Sequence, residues 1–161
     1  MHFHHRNELE AVAALGIPDA VVLTYGAAKV ARGIRPAHPD GDIDFVTTLT
    51  GNRYLEHMLG FQAVQHFIGF NQEGNESYIT ARRDANNTFD SFRWAFSPAR
   101  FKVTGKGRMD IEELIELSDQ DDETGIWVPG VEGLLLMTAD SDKPNQAVET
   151  QRLWQFHDQG Y

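Results

Sequence analysis

The segment Asp42-Ile43-Asp44-Phe45 sets two carboxylates two residues apart in an apolar run. In an extended strand, residues i and i+2 share a face. Ile43 and Phe45 are then expected to enter a core, with Asp42 and Asp44 projecting side by side from the other face. Adjacent carboxylates repel each other unless a cation lies between them. Hard oxygen ligands of this kind suit Mg²⁺, which completes its shell with water and phosphate oxygens. A plainer account gives Asp42 to the Asp40-Gly41 turn and Asp44 to a solvent-facing strand position. Upstream, the apolar run Val21 to Tyr25 meets Gly26, where a helical segment begins. A glycine there lets a ligand approach the backbone without a Cβ in the way. The free N–H groups of a helix start attract anions. Lys29, Arg32 and Arg35 follow closely, and each is equally accounted for as ordinary solvated charge. Together these residues suggest a phosphate-binding turn beside a metal-binding strand.

The elements that must position these groups are legible from pattern. Asn7 to Leu15 reads as a first helix, stopped by Gly16 and Pro18. Val21 to Tyr25 is continuous and β-branched, the mark of a buried strand. Ala27 to Arg32 is helical in composition and closed by Gly33. Asp42 to Thr47 is a strand. Thr50 to Gly60 is a helix with Tyr54, Leu55, Met58 and Leu59 on its inner face. Three strands are expected over Ala63 to Phe70, Ser77 to Arg83 and Thr88 to Phe96, with Asn-rich turns between them. Arg100 to Thr104 and Ile126 to Val128 are shorter extended segments. Glu132 to Met137 and Gln146 to Phe156 are closing helices. The acidic run Asp119 to Glu123 reads as a solvated loop. This order predicts an α+β fold, a mixed β-sheet with helices mainly on one face, in a single domain over residues 1–161.

Composition removes several classes of function. The 161 residues contain no cysteine, which excludes disulfides, zinc ribbons and a thiol nucleophile. No window approaches the ~18 apolar residues of a membrane span. The N-terminal residues lack a signal-peptide core, and a cytoplasmic location is expected. A net charge of -10 disfavours nucleic acid as a partner, since phosphate affinity needs clustered Lys and Arg. An acidic chain can still take an anionic substrate when metal ions supply the positive charge. There is no G-x-S-x-G, no Walker A and no G-x-G-x-x-G. His2, His4 and His5 belong to a chain end; His38, His57 and His66 are read as loop, helix and strand residues. Phe89, Phe92, Trp94 and Phe96 nearly alternate, as expected of a buried sheet face or, less simply, a base-stacking platform.

Tyr25-Gly26-Ala27, followed after a spacer by Asp42-Ile43-Asp44-Phe45, resembles the signature of the minimal nucleotidyltransferases of the polymerase-beta-like superfamily. His38-Pro39-Asp40-Gly41-Asp42-Ile43-Asp44 resembles the corresponding stretch of antibiotic nucleotidyltransferases and abortive-infection-type toxins. Trp127 to Met137 resembles the segment that enters a helix after the last sheet strand. The resemblance implies a nucleotidyltransferase fold. It also implies Mg²⁺-dependent transfer of a nucleoside monophosphate from a nucleoside triphosphate to an acceptor hydroxyl, on a small molecule or a protein. On this basis Asp42 and Asp44 hold metal, Gly26 and Ala27 approach the phosphates, and Lys29 or Arg35 assists. A third carboxylate on a later strand completes the set. Asp110, in Met109-Asp110-Ile111, is the expected one, although Asp110 and Glu113 also form a capping box; Asp90 is the other candidate. The chain departs from the family pattern at Ala27, where Gly or Ser is usual, at His38 and Asp40, and at Met137, where Lys is frequent. These departures keep open an alternative: a non-catalytic binding or regulatory protein of the same fold, such as an antitoxin-like partner.

Overall fold

The computed structural model describes residues 6–36, 43–58, 62–70, 76–83, 88–94, 100–101, 109–139 and 144–159. For Asn7, Asp44, Leu49, Asn52, Arg53, Glu56 and the described residues from 62 to 110 the backbone alone is described. The chain opens with α1 (Arg6–Ala13), β1 (Val21–Leu23), α2 (Tyr25–Ala31), β2 (Ile43–Thr47) and α3 (Leu49–Met58). The meander β3 (Gln62–Phe70), β4 (Glu76–Arg83) and β5 (Thr88–Trp94) follows. Next come β6 (Arg100–Phe101), β7 (Met109–Asp110), α4 (Ile111–Glu116), β8 (Ser118–Gln120) and β9 (Trp127–Pro129). Two helices close the chain, α5 (Val131–Ala139) and α6 (Gln146–Asp158).

Among the described residues the main sheet runs β3-β4-β5-β2-β1-β9-β8, and β6 with β7 forms a separate ribbon. The sheet is mixed. β1 is antiparallel to β2 and parallel to β9, while β2 is parallel to β5. The expected α+β architecture is therefore present. β1 and β2 occupy the middle of the sheet, where both faces are covered, so each reads as a nearly unbroken apolar run. Val21, Val22 and Leu23 are buried, as are Ile43, Phe45 and Val46. Leu9, Leu55, Leu114, Leu134, Met137 and Leu153 extend the same core from all six helices except α2, which adds Ala27, Ala28 and Ala31. α3 lies close to β2: a Cβ on Gly51 would fall onto the Thr47 hydroxyl and 2.9 Å from Ile17 Cγ2.

Three expectations are corrected. The strand β1 stops at Leu23, and Tyr25 belongs to α2. Tyr25 takes φ +48°, a left-handed value that costs a non-glycine residue roughly 1 kcal/mol or more. Met58, expected on the inner face of α3, is 70% exposed at the helix end; Leu55 is buried there as expected, together with Gly51, and Leu59 lies outside the described residues. The acidic run is not a wholly solvated loop. Asp119 and Gln120 pair with β9, and Asp121 is buried. Asp121 accepts hydrogen bonds from the Thr124 backbone and hydroxyl and from Arg6, 115 residues away in sequence. Burial pushes its carboxyl upward, but these hydrogen bonds outweigh burial and hold it below the ordinary carboxylate range.

Candidate active site

The turn from β1 into α2 and the start of β2 lie at the same end of the sheet. The antiparallel register runs Val21↔Thr47, Val22↔Val46, Leu23↔Phe45. Thr24 continues the extended backbone of β1, with φ -129° and ψ 162°. One further step of the register sets it across from Asp44. Thr24 is fully buried, and its hydroxyl has no hydrogen-bond partner among the described residues. A buried hydroxyl without a partner is costly; at 0% exposure it belongs to the packed interior beneath the turn.

On its other side β2 pairs with β5, and Asp44 stands in direct register with Asp90. Paired positions of neighbouring strands share a sheet face, about 4.8 Å apart. Like charges directly opposite one another destabilise a sheet, and here the pair occupies interior strands. Asp42 precedes β2 and lies outside the described residues. Hard oxygen donors from adjacent strands fit Mg²⁺ by chemical type. Among the described side chains no three His, Asp or Glu cluster as ligands; the carboxylates of Asp42, Asp44, Asp90 and Asp110 are not among those side chains.

Asp110 does not occupy the expected place. It ends β7, which pairs with β6 rather than with β2, and its register partner is Arg100. The next residue begins α4. Strand order, a long-range property, gives the position beside Asp44 to Asp90.

Gly26, Lys29 and Arg35 are brought together. They line one cavity of about 150 Å³ with Tyr25, Thr138, Asn145, Gln146 and Glu149. The chain after α2 turns back along it, so that the Arg35 guanidinium covers Gly26: a Cβ at residue 26 would lie 3.2 Å from Arg35 Nη1. A side chain at residue 26 would therefore displace the guanidinium. Lys29 Nζ donates to Glu149 Oε2 at 2.8 Å, joining α2 to α6. That bond holds Glu149 below its ordinary pKa against the opposing effect of burial, with help from the charges of Lys29, Arg152 and Arg35. Ala27 is 2% exposed and its methyl belongs to the core, so its side chain adds nothing to this cavity. Arg32 is structural. It donates to the carbonyls of Val128 and Pro129 and pairs with Asp119, fastening α2 to β8 and β9.

Lining residues missed in the sequence are Thr138, Asn145, Gln146 and Glu149. The polar opening of α6 after Pro144 was a signal for three of them, but the face it presents depends on packing against α2.

Glu8 on α1 faces Arg35 from outside the cavity. Burial pushes its carboxyl up to about 7, partly opposed by the Arg35 charge, and its Oε2 has no partner among the described residues. The folded-state pKa lies above the unfolded value of 4.5. Its stabilising contribution is therefore complete below pH 4.5 and lost as pH rises through about 7. Glu8→Gln is expected to raise the melting temperature above pH 7 and to leave it unchanged below pH 4.5. Thermal unfolding of both proteins across that range checks the sign.

No protein-family model matches the chain, and no curated protein matches it. Among solved structures it is similar to a candidate nucleotidyltransferase from Thermotoga maritima, with TM-score 0.54 and 16% identity, covering 98% of each chain. The antibiotic-resistance factor ANT(2'')-Ia gives TM-score 0.45 and 17% identity over 91% of this chain and 78% of that one. The fold of this chain is the nucleotidyltransferase fold.

Proposed function

We propose that the protein transfers a nucleoside monophosphate from a nucleoside triphosphate to an acceptor hydroxyl and releases pyrophosphate. The observation that carries this reading is the direct register of Asp44 with Asp90 on interior strands, with Asp42 two residues before Asp44 in the sequence. Two like charges set at paired positions weaken a sheet, and a cation between them would offset that cost. Asp42, Asp44 and Asp90 would hold Mg²⁺, which supplies positive charge to the triphosphate and to the leaving oxygen. Gly26 leaves room for phosphate oxygens, and Arg35 presents a guanidinium fork to them. The acceptor oxygen forms a bond to the α-phosphorus as the bond from that phosphorus to the bridging oxygen breaks. Pyrophosphate takes the electron pair, and the hydroxyl proton passes to Asp90. Rate enhancement then comes from positioning and charge neutralisation.

Nucleotide affinity tests the reading. A valine at position 26 carries a branched side chain into the space held by the Arg35 guanidinium. Arg35 is exposed and can swing away, so the fold is expected to tolerate Gly26→Val. Equilibrium dialysis with each nucleoside triphosphate and Mg²⁺ is expected to show binding to the wild type and at least roughly tenfold weaker binding to the variant, the loss of about 1.4 kcal/mol. Equal affinity of the two proteins would remove Gly26 from the site.

A further inference from the structure

A second cavity adjoins the first. It measures about 290 Å³ and is lined by Lys29, Ile34, Arg35, Pro36, Glu149, Arg152 and Leu153. Lys29, Arg35 and Glu149 are common to both cavities. We propose that this space between α2 and α6 holds the acceptor, and that the acceptor is a small molecule bearing a phosphate or carboxylate group. The proposal rests on the nucleotidyl-transfer reading above and names its second substrate.

Charge selects the ligand. In a chain of net charge -10, three cations converge here on one carboxylate, and Lys29 already occupies that carboxylate. No described carboxylate lies within ion-pair distance of Arg35 or Arg152. Arg35 and Arg152 are both exposed residues of the lining, and a guanidinium group can meet an oxyanion in the two-pronged geometry that arginine favours. The depressed pKa of Glu149 under the charges of Lys29, Arg152 and Arg35 reflects the same positive field. A polycationic acceptor would be repelled.

Shape supplies the rest. Ile34 and Leu153 are buried, at 6% and 1% exposure, and form an apolar floor with Pro36. A cationic rim over an apolar floor fits a molecule with a negatively charged end and a carbon body. The volume lies at the lower end for ligand pockets, which suits a compact molecule better than a polymer. Position links the space to the chemistry. The shared Arg35 and Lys29 mean that a ligand in this cavity abuts one in the cavity under Gly26. Pro36, on its wall, is separated from β2 only by the segment that ends in Asp42.

Phenyl phosphate carries both features and serves as the probe. Calorimetric titration of the full chain is expected to show it binding both alone and with a saturating non-hydrolysable nucleoside triphosphate and Mg²⁺. Benzylamine, of similar size and opposite charge, is expected not to bind. Arg152 lines the second cavity and not the first, and it is exposed, so substitutions there leave folding intact. Arg152→Glu is expected to weaken phenyl phosphate at least tenfold while triphosphate affinity stays within twofold. Three outcomes would overturn the acceptor site while leaving the nucleotide reading in place: no binding of phenyl phosphate, binding indifferent to Arg152→Glu, or simple competition with the triphosphate. Failure of every triphosphate to bind the wild type would instead overturn nucleotidyl transfer, and the acceptor role with it.

Discussion

Asp90→Asn is expected to reduce nucleotidyl transfer by roughly 10²- to 10³-fold or more, the scale of losing one preorganised electrostatic group at a reacting centre. The same substitution is expected to leave the melting temperature unchanged or slightly higher. The reason is the register. Asp44 and Asp90 face each other across β2 and β5, and removing one of two adjacent charges relieves repulsion when no cation is bound. A loss of activity without a loss of stability separates a functional carboxylate from a structural one. Asp110→Asn makes the matching control. Asp110 pairs with Arg100 in a separate ribbon and leads into α4, and Asn caps a helix about as well as Asp. That variant is expected to retain activity within a few fold. Steady-state rates and thermal melts of both variants decide the matter. Full activity in Asp90→Asn with loss in Asp110→Asn would return the third carboxylate to Asp110.

Phe45→Ala is expected to produce the largest loss of stability. Phe45 is fully buried, follows Asp44 on β2 and stands opposite Leu23 of β1. Truncating a buried phenylalanine costs about 3–5 kcal/mol, because the surroundings do not close over the cavity. For a domain of this size that lowers the melting temperature by on the order of 10 °C. Phe45→Leu keeps much of the volume and is expected to cost roughly 1–2 kcal/mol, at ~0.8 kcal/mol for each methylene removed from the core. Denaturant unfolding checks both values. Below its own melting transition, Phe45→Ala is expected to keep measurable transfer activity, in contrast to Asp90→Asn. A Phe45→Ala protein as stable as the wild type would show that β2 is not an interior strand.

These two residues also show how far the sequence could be read. Phe45 was legible. An apolar residue alternating with acids on a β-branched segment has one buried face, and the structure buries both Ile43 and Phe45. Gly26, Lys29 and Arg35 are close in sequence and line one cavity, because the chain after α2 turns back along that helix. Which acid stands in register with Asp44 was not legible. Phe89-Asp90-Ser91 and Met109-Asp110-Ile111 both set an acid between non-charged neighbours, and nothing local distinguishes them. Only the order β5-β2-β1 does. Asp121 was misread for a related reason. Its burial depends on Arg6, at the opposite end of the chain, and an acidic run carries no mark of such a partner. Lys29 likewise pairs with Glu149, 120 residues away, and so the contribution of α6 to both cavities could not be read from either segment. Ala27 was assigned by family pattern to the phosphates, whereas packing puts its methyl in the core.

The central claim is that Asp42, Asp44 and Asp90 make this chain a working nucleotidyltransferase. Its most direct test is incubation of the purified protein with each α-labelled nucleoside triphosphate, Mg²⁺ and the small-molecule and protein fractions of a cell extract. Transfer of label to one acceptor, with pyrophosphate released in equal amount and both signals lost in Asp44→Asn, is the predicted result. Absence of labelled acceptor with every triphosphate, or label that persists in Asp44→Asn, would contradict it and favour a non-catalytic binding protein of the same fold.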